Sequence, residues 1–138
     1  GGGNLLLNIG PMPTGEIEAR QVALLKEVGD WIKPRAEAIY STRGGPYSNG
    51  NWGGSSHRGN TVYVFARDWK GDTLGLSPLP GKITAVKKLV GGDAVEFKQT
   101  EQGVDLTLAA GKRDPIYTVF VLTLDQPVAD GLVIKAMP

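Results

Sequence analysis

GGGNLLLNIGP, residues 1–11, is a short apolar run with glycines before it and a Gly-Pro stop after it. A strand that is buried on both faces has a continuous apolar run of this kind, whereas a strand with one wet face alternates apolar and polar residues. A helical pattern follows almost at once, so residues 1–33 predict one β/α unit. Such a strand needs neighbouring strands, and no sequence before Gly1 supplies them. We therefore expect the chain to begin within a larger α/β domain.

The helix of this unit is predicted to run from about Glu16 to about Lys33. Carboxylates in its first turn suit the helix dipole, and apolar residues recur near a period of 3.6. Pro34 ends or kinks the helix, because proline disfavours the α region at the residue before it. The apolar stripe comprises Ile17, Val22, Leu25, Val28 and Ile32. If the chain stands alone, we expect this stripe and the leucines of residues 5–7 to be exposed.

The charge of the chain is nearly balanced, since 15 basic and 14 acidic residues give a net charge of +1 over 138 residues. The sequence has no block of like charge that would attract nucleic acid or an anionic membrane. It also has no apolar run of about 18 residues, the length a transmembrane helix needs. Neither nucleic acid nor a membrane is therefore predicted as a partner. With no cysteine and one histidine, no metal site is predicted.

The sequence pattern changes after residue 43. Residues 44–60 are glycine-rich, have no apolar period and exceed the usual connection of about 4–6 residues, so they are predicted as a linker. Residues 61–138 alternate apolar segments with turns, which is typical of an antiparallel β-sandwich. The predicted strands are 61–67, 73–77, 82–90, 94–99, 104–108, 117–124 and 132–136. The predicted fold class is mainly β: a C-terminal antiparallel β-sandwich preceded by one β/α unit.

Four stretches of the chain together resemble a known family. They are GGNLLLNIGP, LLKEVGDWIKPRAEAIYSTRG, TVYVFARDW and KITAVKKLVGG. They are similar to the C-terminal part of α-L-fucosidases of glycoside hydrolase family 29, where the first stretch is the eighth strand of a (β/α)8 catalytic barrel and a β-sandwich follows. The resemblance implies that residues 1–43 are the last β/α unit of such a barrel. One departure is Pro34-Arg35-Ala36, where relatives usually have an Asn-Gly pair.

This resemblance implies a glycosidase that hydrolyses terminal α-L-fucose from glycans with retention and needs no cofactor. Retaining glycosidases use two carboxyl groups about 5–5.5 Å apart, one as nucleophile and one as acid/base. In the family the Asp nucleophile and the acid/base, commonly Glu, precede the eighth strand, so no catalytic residue is predicted in this chain and we expect it to be inactive alone. The implied partners are a fucosylated glycan, through the parent enzyme, and the remainder of the barrel. The resemblance suggests a secreted, periplasmic or lysosomal location.

Five residues are candidates for a site or an interface. Asn8 ends the apolar run, and the carboxyl ends of barrel strands face the active site, although asparagine also commonly bonds local backbone. Trp52 is a candidate for stacking on a sugar, because flat rings suit the apolar faces of saccharides. Arg43, Tyr47 and Trp69 are candidates for the interface between barrel and sandwich, where large aromatic residues dominate the energetics.

The segment Ser55-Ser56-His57 is predicted to be part of a solvated loop. The sequence indicates no third group that would complete a catalytic triad with His57 and a serine. Two other functions remain open for the sandwich: an autonomous carbohydrate-binding module with Trp52 and Trp69 as its platform, or a purely structural module. We rank the structural role above binding.

Overall fold

Strands dominate the structure, a computed structural model that describes residues 3–67 and 69–136. Within these residues, two helices joined by a 3₁₀ turn precede eight strands, and a second 3₁₀ turn precedes the last strand. The helical elements are α1 (Ala19–Ile32), the turn Lys33–Arg35, α2 (Ala36–Ile39) and the turn Ala110–Lys112. The strands are β1 (Arg43–Gly44), β2 (Gly53–Arg58), β3 (Thr61–Ala66), β4 (Thr73–Leu76), β5 (Ile83–Lys88), β6 (Glu96–Gln99), β7 (Val104–Thr107) and β8 (Thr118–Leu124).

Two antiparallel sheets pack face to face. The larger has the strand order β1-β2-β3-β8-β5 and the smaller the order β4-β7-β6. Their facing side chains form one continuous core, in which Val64, Leu76, Leu106, Phe120 and Leu122 are completely buried. The predicted mainly β fold with an antiparallel sandwich is confirmed.

Six predicted strands are present at nearly the predicted positions, as β3 to β8. β6 and β7 form a hairpin, in which Gln99 pairs with Val104 and the amide of Thr100 donates to the carbonyl of Gly103 at 2.9 Å. Phe97 is apolar but is 37% exposed, on the edge of the smaller sheet. Gln99 links the sheets instead: its amide oxygen accepts from the amide of Ile83 at 2.8 Å.

The prediction of a linker over residues 44–60 is wrong for residues 53–58, which form β2 in the larger sheet. β2 pairs with β3 along its whole length, from Gly53 opposite Ala66 to Arg58 opposite Thr61. The segment GGSSHR has neither an apolar period nor strong β propensity. It is a strand because β3 offers it a complete row of hydrogen-bonding partners.

The last predicted strand, residues 132–136, forms no strand among the described residues. It closes the open side of the sandwich by separate hydrogen bonds. The amide of Ile134 donates to the carbonyl of Pro46 at 2.7 Å, and the amide of Ser48 donates to the carbonyl of Ile134 at 2.8 Å. On the other sheet, the Ser77 hydroxyl donates to the carbonyl of Lys135 at 2.6 Å. The segment bridges the sheets and therefore runs along neither of them.

The outer face of the larger sheet is also buried. Tyr63, Val119 and Val121 project from this face and pack with Ala38 of α2, which is 1% exposed. The Ser56 hydroxyl donates to the carbonyl of Ala38 at 2.6 Å. The helical segment therefore lies on the back of the sandwich, and the sheet is covered on both sides.

The apolar run has no strand conformation over residues 3–10. Leu5 is 87% exposed and Leu6 92% exposed, and no residue of α1 is fully buried. A strand needs hydrogen-bonding neighbours, and the described part of the chain offers none here. α1 begins at Ala19, later than predicted, because the amide of Met12 donates to the carbonyl of Glu16 at 2.8 Å and closes a turn.

No helix among the described residues is long and apolar enough to cross a membrane.

Candidate functional site

A buried charge cluster fastens the helical segment to the sandwich. Arg35 ends the 3₁₀ turn after α1, and its guanidinium lies 3.6 Å from the Asp114 carboxylate, with both side chains about nine-tenths buried. Lys88 of β5 reaches the other carboxylate oxygen at 3.3 Å, and its side chain is 12% exposed. The cluster carries two cations and one anion. Removal of Asp114 would leave two buried cations without a carboxylate, and removal of Arg35 would leave Asp114 with Lys88 alone. It joins α1, β5 and the segment before β8.

Aromatic rings complete this seam. The Arg35 guanidinium lies 4.5 Å from the centre of the Trp31 ring and also donates to the Trp31 carbonyl at 2.9 Å. Trp31 meets Tyr117 edge to face, with ring centres 6.3 Å apart. The end of α1 is therefore held by one cation–π contact, one hydrogen bond and one aromatic pair. In the sequence, Arg35 stands out only as a departure from the family pattern and Asp114 only as a turn residue.

Asn8 is exposed and forms no hydrogen bond with another described residue. It lies on the same uncovered segment as the exposed leucines. The structure therefore brings it together with no other candidate residue, and its role as a substrate-adjacent residue stays a prediction.

Tyr47 and Trp52 pack together at the edge of the core. Tyr47 is 1% exposed, and its hydroxyl donates to the carbonyl of Ser77 at 3.0 Å, which ties the two sheets together. Burial raises the pKa of this hydroxyl well above its ordinary value. The half-buried Trp52 ring stands edge-on to Tyr47 with centres 6.4 Å apart, and its indole N–H donates to the Ser48 carbonyl at 3.2 Å. Both rings support the sandwich.

Trp69 packs at the end of the core against Phe120, with ring centres 5.9 Å apart. The Arg113 guanidinium lies 3.8 Å from the centre of its ring and occupies one face. A sugar would have to displace this cation to stack there, so the geometry disfavours the predicted platform of Trp52 and Trp69. Arg43 is exposed in β1, and its side chain pairs with no other described residue.

His57 is not a solvated loop residue, because it lies in β2 between Arg43 and Val62 and is 2% exposed. Its Nε2 has no hydrogen-bond partner among the described residues. Ser55, two residues earlier, exchanges hydrogen bonds with the backbone of Tyr47 at 2.9 and 3.2 Å. The serine hydroxyl is thus committed to structure.

The carboxylates that the structure describes offer no catalytic pair. Asp114 is the most buried of them, and it is neutralised by two cations. Glu18 is half-exposed and pairs with Arg20, and the remaining described carboxylates are exposed, in helices, in turns or on strand faces. A retaining glycosidase needs a raised-pKa acid beside a nucleophile. No group of three or more His, Cys, Asp or Glu residues within the described ranges is placed to hold a metal ion.

Comparisons with known proteins identify relatives of the chain. A family model described as alpha-L-fucosidase matches residues 1–37. An alpha-L-fucosidase of Branchiostoma floridae is 34% identical over 96 residues, which are 64% of this chain and 21% of that protein. The plasma alpha-L-fucosidase of Homo sapiens is 36% identical over 73 residues, 49% of this chain and 16% of that protein. The chain therefore spans about a fifth of the length of these curated relatives.

Solved structures extend the similarity into the sandwich. Alpha-L-fucosidase isoenzyme 1 from Paenibacillus thiaminolyticus superimposes with a TM-score of 0.79 and 28% identity, over 89% of this chain and 31% of that one. The Thermotoga maritima alpha-fucosidase has a TM-score of 0.71 over 87% of this chain and 30% of that one, and at 24% identity it shows the fold alone. The predicted resemblance to the C-terminal part of a family 29 α-L-fucosidase is confirmed.

Proposed function

We propose that this chain serves as the C-terminal part of an α-L-fucosidase, in which the segment up to Ile32 completes a catalytic barrel and the sandwich supports it. The proposal depends on one observation: the match to the family model and the exposed apolar residues fall in the same segment. The segment that matches the family model, residues 1–37, also holds most of the large apolar residues that are exposed among the described residues. Leu5, Leu6 and Leu7 are 87, 92 and 57% exposed, and Leu24 of α1 is 60% exposed.

Burial energetics support this assignment. Full burial of one leucine side chain contributes about 1.5–3 kcal/mol, so covering the three leucines of the apolar run would contribute several kcal/mol to docking. The run also has the composition of a strand buried on both faces. A barrel provides both a sheet neighbour on each side and apolar cover on each face. The sandwich seam at Arg35 and Asp114 would then hold α1 in place against that barrel.

The proposed reaction is hydrolysis of a terminal α-L-fucosyl bond with retention. The two carboxyl groups that this reaction requires would come from other strands of the barrel, because the described carboxylates of this chain form no suitable pair. Asn8 would lie at the carboxyl end of its barrel strand, on the face where barrel active sites form. The substrate would be a fucosylated glycan, and the chain itself would contribute structure and a place beside the site.

An activity assay tests the chemical part of the proposal. The purified 138-residue chain is incubated with an aryl α-L-fucoside, with a fucosidase of the family as the positive control. We expect no turnover above background. Turnover by the isolated chain, abolished in a variant of one of its own carboxylates, would show that the catalytic pair lies within it.

The nucleotide sequence upstream of this chain tests whether the chain completes a catalytic barrel. We expect the reading frame upstream of the codon for Gly1 to continue into barrel strands that carry an Asp and a Glu at their carboxyl ends. The protein from that longer frame should hydrolyse the aryl fucoside, and Asn8→Ala should lower its kcat/KM by about tenfold, the effect of one lost hydrogen bond to a charged group. An in-frame stop codon close before Gly1 would overturn the proposal.

A purely structural role is the second candidate for the sandwich itself. The Arg113 guanidinium on Trp69 and the hydrogen bond of Trp52 to Ser48 favour it over a binding platform formed by these two rings.

A further inference from the structure

Three adjoining cavities form a groove over the β1–β2 edge of the larger sheet. Their volumes are about 420, 490 and 550 Å³. Asn49 lines all three and Arg43 lines two, so the cavities meet around these side chains. The 490 Å³ cavity is also lined by Gly3 and Asn4, so the groove begins beside the exposed run of residues 5–7, whose leucines line none of the three.

One end of the groove is aromatic. Trp31, Phe65 and Tyr117 line it, and all three rings are half-buried. Arg35 covers one face of the Trp31 ring at 4.5 Å and Tyr117 meets the ring edge to face, so this wall is held in place without a ligand and only the Trp31 face turned away from Arg35 is left for stacking. The indole N–H of Trp31 has no hydrogen-bond partner among the described residues. That nitrogen is itself buried, so what the wall offers a ligand is ring surface.

The other end of the groove carries opposite charges that are not paired. Arg43 and Asp130 line the same cavity, and both are exposed. Neither their side chains nor that of Asn49 form a hydrogen bond or an ion pair with another described residue. Together they present a cationic donor, an anionic acceptor and an amide that does both. The local charge sums to zero, which fits a neutral ligand.

The floor of the groove is backbone. A Cβ at Gly53 would lie 1.7 Å from the carbonyl oxygen of Phe65, and a Cβ at Gly54 would lie 2.5 Å from Asn49 Oδ1. The Cβ direction of Gly53 is closed by β3, so only glycine fits there, whereas the Cβ direction of Gly54 is occupied by the Asn49 side chain, which lies over the backbone in the groove.

We propose that this groove binds a neutral oligosaccharide. Sugars present apolar ring faces and many hydroxyl groups, which match an aromatic wall followed by planar hydrogen-bonding side chains. An elongated groove of this kind suits a linear chain of several sugar units more than a compact cofactor. The proposed surface is distinct from the platform of Trp52 and Trp69. It includes Gly3, Asn4 and Trp31 of the segment proposed to join a barrel, and binding to it requires no catalysis.

A titration of the 138-residue chain tests the proposal. The probes are a neutral fucosylated pentasaccharide and its non-fucosylated core, added to ¹⁵N-labelled protein. We expect saturable binding with a Kd of about 1 mM or tighter for at least one of them, with shifts of the Trp31 indole and of the amides around Asn49. Asn49→Ala and Arg43→Ala should each weaken binding about tenfold, through the loss of hydrogen bonds to the ligand. Both side chains reach solvent, so the variants should keep the fold.

Lys98→Ala provides the matched control, because Lys98 is exposed on β6 of the other sheet and its loss should leave the Kd unchanged. Absence of shifts with both probes at about 10 mM would overturn the proposal. So would binding that Asn49→Ala and Arg43→Ala leave unaltered, or a preference for a sulfated oligosaccharide over the neutral ones. The aryl fucoside assay is independent of this outcome.

Discussion

Arg35 is the residue on which attachment of the helical segment depends. Replacing it with methionine keeps the bulk of the side chain but removes the ion pair with Asp114 and the contact with Trp31. Breaking a buried ion pair from one side typically costs about 3–5 kcal/mol, and Lys88 at 3.3 Å retains part of the compensation. We expect Arg35→Met to lower the free energy of unfolding by about 2–3 kcal/mol. Urea unfolding measures it.

Arg20→Met is the control for Arg35→Met. Arg20 also pairs with a carboxylate, that of Glu18, but its side chain is 90% exposed. Exposed pairs contribute little, so this change should stay within about 0.5 kcal/mol. Equal effects of the two substitutions would show that the seam does not depend on the buried cluster.

Tyr47 should make the stability of the sandwich sensitive to high pH. Its hydroxyl stays protonated in the folded state because burial raises its pKa, whereas an unfolded tyrosine ionises near about pH 10. Above that pH the unfolded state binds fewer protons than the folded state. Stability from this group is therefore complete below about pH 10 and falls by about 1.4 kcal/mol for each further pH unit.

Tyr47→Phe tests this dependence. At neutral pH the variant should lose about 1–2 kcal/mol, because the carbonyl of Ser77 loses its donor. Between about pH 10 and 11.5 the difference from the wild type should shrink, since the variant has no phenol to ionise on unfolding. Denaturant unfolding at a series of pH values gives both curves. Parallel curves over this range would contradict the prediction.

Individual residues were the least predictable feature of this chain. Arg35 lies in a segment that differs from the family pattern, but nothing in that segment indicates an ion pair. Its partner Asp114 is 79 positions further along the chain, so no local sequence pattern connects the two residues. His57 follows two serines and precedes a glycine turn, which is a typical loop composition. Its burial comes from pairing with β3, a contact that periodicity cannot reveal. Tyr47 and Trp69 were expected at an interface, and the structure places them against the core of the sandwich.

Among the elements, β2 depends on glycine in the backbone. Gly53 has φ +138°, and a Cβ there would lie 1.7 Å from the carbonyl oxygen of Phe65 on the neighbouring strand. Gly53→Ala must therefore push β2 away from β3 or leave the ladder broken. We expect a loss of at least about 3 kcal/mol, from backbone strain together with lost pairing. Thermal unfolding followed by circular dichroism measures the change.

Gly59→Asn is the counterpart in the same hairpin. Gly59 has φ +58°, the place where a Cβ would lie has nothing within 4 Å, and asparagine tolerates this left-handed conformation. The effect of the substitution should stay within about 1 kcal/mol. If Gly53→Ala lowers the stability as little as Gly59→Asn does, then β2 does not approach β3 as closely as the structure shows.

The apolar pattern of the sequence correctly predicted the strands that bury apolar side chains. It did not predict the segments that are held mainly by backbone hydrogen bonds. β3 and β8 are rich in valine and are central strands, as their patterns indicate. β2 has a polar sequence and joins the sheet only because β3 has a free edge. Residues 132–136 have the composition of a strand, yet they bridge two sheets. Sequence composition does not show which edge of a sheet remains open.

On the scale of the whole molecule, the sandwich buries its apolar side chains, whereas the segment before α1 leaves its leucines exposed. The smaller and larger sheets cover each other, and α2 covers the back of the larger sheet. The fold class was predictable because most of its strands have clear patterns. The apolar run has the composition of a buried strand, yet its leucines are exposed in the described structure. This mismatch has a measurable consequence for the behaviour of the chain in solution.

The leucines of residues 5–7 should drive self-association of the isolated chain. They are 87, 92 and 57% exposed, and contiguous apolar surface of this kind marks a partner surface or an aggregation site. Replacing all three with serine should convert a concentration-dependent mixture into a monomer in sedimentation velocity experiments. The melting temperature of the sandwich should move by less than about 2 °C, because the leucines contribute no burial to its core.

Leu106→Ala provides the contrast that separates surface from core. Leu106 is completely buried between the sheets, so its truncation should cost about 2–5 kcal/mol and lower the melting temperature. It should leave the association through residues 5–7 in place while the protein is folded. A wild-type chain that is monomeric at high concentration, with residues 5–7 protected from hydrogen exchange, would mean that the segment folds onto its own sandwich. In that case the exposed leucines would no longer argue for a barrel partner.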